Sequence, residues 1–217
     1  VENRKLSTVR KNNFKVIGRS LQRFELYQQA VEDENFTLSL ESIGPETLRQ
    51  FDKFLREEHN YCTKPEYKII YDTFPEKRTP QARGQNTIND VHTKLRTFFI
   101  WANDNSLTTN NPFKNFKIEE CVYGTPIYIT IEERNQIYNK DLSSRPQLAI
   151  QRDIFVFQCL IGCRVGDLYK MKKSHLINGA IEYIPRKTKD GRPITVRVPL
   201  NSTAHEILKR YEENEGN

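Results

Sequence analysis

The feature that most narrows the folds open to this chain is a change of period. From Ser7 to Val31, from Pro45 to Leu55 and from Ile88 to Ala102, apolar residues return every three or four positions, which gathers them on one side of an α-helix. Only from Ile181 to Arg186 and from Ile194 to Val198 does the repeat shorten to alternation, the mark of half-buried strands. The chain is therefore expected to be mainly α with a small antiparallel β-sheet. Its 217 residues suit one large domain or two small ones, since domains mostly run ~100–150 residues. No apolar run approaches the ~20 residues of a membrane span, and the N-terminal residues lack a signal-peptide core. Membrane and secretory readings are set aside on those grounds.

In the first helical stretch Phe14, Ile17, Leu21, Phe24 and Val31 form the apolar side. Lys11, Lys15, Arg19 and Arg23 advance by fours on roughly the opposite side, and no acid stands between Lys5 and Arg23. Such a stripe is either a solvated helix face or a row of cations set to neutralise successive phosphates. A second helix should start at Gly44-Pro45-Glu46, with proline in the first turn and Leu48, Phe51 and Leu55 facing the core. Residues 61–85 hold three prolines and read as a long exposed connection, with Lys77, Arg78 and Arg83 available to a partner. A third helix should open at Asn86-Thr87, either of which could cap it, and bury Ile88, Val91, Leu95, Phe98, Phe99 and Ala102.

Residues 115–125 read as a linker, which places a domain boundary near Gly124 and divides the chain into 1–122 and 123–217. Beyond it, Thr130 and Glu133 make a capping box for a helix beginning near Ile131. Another helix should run from Pro146 to Leu160, pause at Gly162 and resume from Arg164 to Lys172. A hairpin follows, turning at Lys189-Asp190-Gly191, and then a last helix marked by Ala204, Ile207, Leu208 and Tyr211.

Lysines and arginines number 34 against 28 acids, for a net charge of +6, which suits a polyanionic partner without proving one. The cysteines Cys62, Cys121, Cys159 and Cys163 are irregularly spaced, and no His or Cys pair completes a zinc site. Neither a metal nor a cofactor is expected. The sole methionine is Met171, and the last residues stop in a charged, helical stretch. Together these suggest a piece of a longer protein.

Two places carry chemistry. Arg164 follows a glycine within apolar sequence, with Asp167 three residues later. A buried guanidinium needs a partner or an anion, so the two readings are a structural Arg164–Asp167 pair and a clamp whose planar fork grips two phosphate oxygens. The second place is the hairpin tip with Lys187, Lys189 and neighbouring arginines, where a mobile lysine could reach into a site.

In this order the two places resemble the tyrosine recombinase (phage integrase) family. Gly162-Cys163-Arg164-Val165-Gly166-Asp167-Leu168 is similar to the first catalytic signature of that family, and Lys187-Thr188 with Pro199-Leu200 is similar to its hairpin. Leu95–Ala102 followed by Asn111-Pro112-Phe113 looks like its helical core-binding domain. The likeness runs from about Ser7 onward and is strongest to integrases of mobile elements in Bacteroides-type bacteria. It implies a helical-bundle core-binding domain followed by the first part of an α+β catalytic domain.

By that resemblance, Arg164 would hold the scissile phosphate and Lys187 would protonate the departing 5′-oxygen. Asp167 would support the site, and Lys189 is the alternative hairpin lysine. Lys11, Lys15, Arg19, Arg23, Lys77, Arg78 and Arg83 would contact double-stranded DNA. The family also uses a His-x-x-Arg and a late tyrosine. None of His59, His92, His175 and His205 begins such a motif, and Tyr211 comes too early to be the nucleophile and reads as a packing residue. The implied whole is a cytoplasmic, nucleoid-associated enzyme acting as a homotetramer on DNA without cofactor. The present chain would be an inactive, monomeric piece of it. The alternative is a non-catalytic DNA-binding module, such as a decayed integrase serving as a regulator. Comparing duplex DNA with RNA across a salt series would separate both from a basic RNA-binding protein.

Overall fold

The computed structural model describes residues 7–188 and 193–212. It is mainly helical with one three-stranded antiparallel sheet, and it divides into two compact units, Val1–Thr125 and Pro126–Asn217.

In the first unit, α1 (Thr8–Val31) starts where the Ser7 hydroxyl accepts the amide of Arg10. Helix α2 (Pro45–Tyr61) starts behind Gly44, and α3 (Lys68–Thr73) is a short helix inside the proline-rich connection. Helix α4 (Gln85–Asp104) is preceded by Gly84 as its cap, so neither Asn86 nor Thr87 plays that part. Phe24, Phe51, Phe54 and Phe99 centre the core, with Leu48, Leu55, Ile88 and Leu95 around them. The Phe24 ring lies 5.3 Å from Phe51 and 5.6 Å from Phe54, a spacing at which tilted rings attract beyond their buried area. Val31 is 42% exposed and takes no part in this core.

The stretch read as a linker is instead strapped to α4. The Asn86 carboxamide donates to the Val122 carbonyl at 2.8 Å and accepts the Val122 amide at 2.7 Å. Asn89 donates to the Glu119 carbonyl at 2.7 Å, while Phe113 and Phe116 pack on the core. Two side-chain amides thus stand in for a neighbouring strand and satisfy backbone that would otherwise need water.

In the second unit, α5 (Ile131–Asn139) has the expected Thr130–Glu133 capping box. Helix α6 (Pro146–Ile161) ends at Gly162, whose φ of +63° is the left-handed conformation glycine reaches without a Cβ clash. The next helix is shorter than the spacing suggests: α7 spans only Val165–Leu168, and a 3-10 turn at Lys173–His175 follows. Strands β1 (Leu176–Ile177), β2 (Ala180–Tyr183) and β3 (Val196–Pro199) lie in that order, with Ile181 opposite Val198 and Tyr183 opposite Val196. Strand β2 stops three residues before Arg186, which opens a 3-10 turn, Arg186–Thr188. Asn178 and Gly179, with φ of 47° and 71°, make the tight turn between β1 and β2. Helix α8 (Ser202–Arg210) is capped by Asn201. Val156, Phe157, Ile161, Cys163, Ile181, Ala204 and Ile207 form the core of this unit.

Candidate functional site

In the second unit the site is built from two turns. The first is the reversal Gly162-Cys163-Arg164, held from behind by the Gln158 carboxamide, which donates to the Cys163 carbonyl at 3.1 Å. Arg164 caps α7 with extended backbone, and its side chain is exposed. Among the described residues it makes no hydrogen bond or ion pair, so both the expected burial and the structural Arg164–Asp167 pair give way. Asp167 is the buried member, 7% exposed, and its Oδ1 accepts the backbone amide of Arg186 at 2.9 Å. That bond joins the Arg164 turn to the second turn, Arg186–Thr188, on which Lys187 is exposed. Thr188 closes the second turn through its amide and hydroxyl, both at 3.0 Å from the Pro185 carbonyl. Lys189 lies outside the described residues.

Tyr183 reports the electrostatics of this place. Burial pushes its phenol up, the nearby Cys163 and Asp167 push it further, and Arg164 pulls it back. Burial likewise raises the Cys163 thiol, with Asp167 adding to the effect. One guanidinium and one buried carboxylate therefore act on the same small volume.

Elsewhere in the unit, the Tyr211 hydroxyl donates to Asp153 Oδ2 at 2.9 Å, within a network that also holds Arg152 and Arg210. Burial and that bond raise the Tyr211 phenol, which fits a packing role and opposes a nucleophilic one. Burial alone would raise Asp153, but the bonds from Arg152, Tyr211 and Arg210 outweigh it and hold the carboxyl below its ordinary range.

The first unit sorts the seven proposed DNA-contact residues into two groups. Arg23 is buried: Nε donates to Glu58 Oε1 at 2.7 Å, Nη1 to the Phe74 carbonyl and Glu76 Oε1 at 3.1 Å each, and Nη2 to Ser20 Oγ at 3.2 Å. Arg83 reaches the other oxygen of Glu58 at 2.6 Å and the Leu55 carbonyl at 2.8 Å. Neither guanidinium is available to a partner in this arrangement. The reason is long-range pairing: the acids that neutralise α1 arrive from α2 and from the segment after α3, beyond the reach of local sequence reading. Arg19 stands between the two groups, with its side chain 34% exposed and its fork on Glu76, Nε to Oε1 at 3.1 Å and Nη2 to Oε2 at 2.7 Å.

Lys11, Lys15, Lys77 and Arg78 are exposed. Of these, Lys15, Lys77 and Arg78 line a groove of about 520 Å³ between α1 and residues 76–83, together with Arg19, Arg83 and Glu76. Glu76 was not singled out in the sequence. Its neighbours Lys77 and Arg78 could have drawn attention to it as the lone acid of a basic run. Burial would raise its carboxyl, but hydrogen bonds from Arg19 and Arg23 outweigh this and hold it below the usual carboxylate range.

Among the described residues no cluster of His, Cys, Asp and Glu could hold a metal ion, and no helix is long and apolar enough to cross a membrane. No protein-family model matches the chain, and no curated protein matches it. Among solved structures, a lambda integrase tetramer bound to a Holliday junction aligns over 97% of this chain and 50% of that one, with 16% identity and a TM-score of 0.49. The present sequence thus spans half the length of that integrase chain.

Proposed function

We propose that this chain is part of a tyrosine site-specific recombinase, comprising a DNA-gripping helical unit and the first part of a catalytic unit. The observation that carries this reading is the Asp167–Arg186 bond, which joins two motifs nineteen positions apart at one place and leaves a cation exposed on each turn. In the proposed reaction a tyrosine hydroxyl, carried by the rest of the parent protein, gives its proton to a general base of that same part and attacks the scissile phosphorus. The P–O5′ bond breaks as the 3′-phosphotyrosyl bond forms, so the backbone linkage is stored for religation. Arg164 grips two phosphoryl oxygens and offsets their growing charge in the pentacovalent transition state. Lys187, or Lys189 in the same tip, gives its proton to the leaving 5′-oxygen. Asp167 keeps the two turns in register and transfers no proton.

The groove of the first unit is proposed to contact backbone phosphates of duplex DNA through Lys15, Lys77 and Arg78, with Lys11 further along α1. Such contacts set affinity and register and are weakened by salt. The test is Arg164→Ala in the complete parent protein. Strand cleavage of its recombination site should be lost, while most DNA binding persists in a gel-shift assay. Cleavage at the normal rate by that variant would remove the assignment.

A further inference from the structure

Glu76 is an acid placed where a phosphate would be welcome. Among the described residues it is the only carboxylate lining the groove, surrounded by Lys15, Arg19, Lys77, Arg78 and Arg83. We propose that Glu76 is a built-in counter-anion: it occupies the Arg19 fork until a phosphate of duplex DNA takes its place. The proposal rests on the groove being the DNA-contacting surface of the first unit.

Three observations support the exchange. The Arg19 fork holds both carboxylate oxygens, at 3.1 and 2.7 Å, and a phosphodiester offers two non-bridging oxygens to the same planar donor pair. Among the described residues Arg19 is the only partner of Glu76 that is substantially exposed, at 34% against 1% for Arg23. Release of Arg19 also strands no buried charge, because Glu76 keeps Arg23 Nη1 at 3.1 Å and Arg23 keeps Glu58 at 2.7 Å. A half-buried carboxylate left without a partner would resist the swap; here one remains. Glu76 then acts as a throttle. It lowers the affinity of the groove for arbitrary DNA by one cation's worth and restores that cation only when a phosphate is seated.

The experiment uses the whole chain and a short duplex of arbitrary sequence, with the dissociation constant measured by fluorescence anisotropy across a salt series. Glu76→Gln should bind roughly two- to fivefold tighter at low salt, the size of one partly exposed pair. Its log–log salt slope should change by less than the ~0.9 of one phosphate contact, because Arg19 seats a phosphate in both bound complexes. In an Arg19→Ala background the Glu76→Gln gain should vanish. If Glu76→Gln binds no tighter than the wild type, or if its gain survives without Arg19, the throttle is refuted. Should Glu76→Gln fail to fold, Glu76→Asp shortens the reach to Arg19, keeps the charge for Arg23 and carries the same expectation at smaller size. The Lys15→Ala/Lys77→Ala variant tests the premise separately. It should weaken binding and flatten the slope, and unchanged binding there would mean that DNA does not use this groove, which overturns the proposal at its base.

Discussion

Arg23 in the first unit and Arg164 in the second do opposite work. In the first, Arg23 and Arg83 close on Glu58, and Arg19 with Arg23 closes on Glu76, so that guanidiniums bind the helices together. In the second, Arg164 projects from a glycine-led turn with no ion pair among the described residues, and the nearest acid in sequence, Asp167, spends its Oδ1 on a backbone amide. Both kinds of arginine invite the same phosphate-binding reading in the sequence. What separates them is whether a distant acid folds back onto the fork. A paired, buried guanidinium maintains shape, whereas an unpaired one on a fixed turn is available to an anion.

The most forceful way to break this comparison is Glu58→Ala. It leaves Arg23 without its shortest partner and deprives Arg83 of its carboxylate. The first unit should lose about 3–5 kcal/mol, as expected when one side of a buried pair is removed. Urea unfolding would show it, and a loss under 1 kcal/mol would mean that these arginines are not structural. Acid sharpens the contrast next. The Asp153 carboxyl in the second unit is held below its ordinary range, so its stabilisation is complete above about pH 4 and drains away as the pH falls through its lower folded value. Asp153→Asn should therefore flatten the acid side of the stability–pH profile of that unit while lowering stability at neutral pH. An unchanged acid limb would show that the network contributes nothing to the pH response. The smallest effect expected is for Asp167→Ala, roughly 1–3 kcal/mol for leaving the Arg186 amide unsatisfied. It should appear as faster hydrogen exchange at that amide, and unchanged protection would mean that the two turns are held in register by other means.

The legible parts of the sequence were those governed by neighbours in the chain. The Thr130–Glu133 box and the start at Gly44-Pro45 depend on contacts within one helical turn, and the core faces of α2 and α4 follow from period alone. The small sheet was visible through alternation, although β1 was missed despite the Asn178-Gly179 pair that announces its turn. What stayed hidden was set by partners far away. Glu58 lies thirty-five residues from Arg23, and Glu76 fifty-seven from Arg19. The 119–122 segment looked like a free linker because the amides that hold it belong to Asn86 and Asn89, polar residues on what reads as a solvent face of α4. Arg164 drew attention through its odd surroundings. The apolar sequence around it suggested burial because the αL turn at Gly162, which throws the side chain outward, has no signature beyond the glycine itself.

The four acceptors around Arg23 also limit how this chain can drift. Nε, Nη1 and Nη2 are all engaged by groups from α1, α2 and the segment that follows α3 from Phe74 on. An ammonium group carries the same charge but has no fork and concentrates its donors at one point. Lysine at this position would leave acceptors unsatisfied, although the same exchange at Lys11 or Lys15 passes unnoticed. Two positions of one basic stripe thus obey different substitution rules, and a relative of this protein should tolerate arginine–lysine interchange along α1 only until the helix reaches the core.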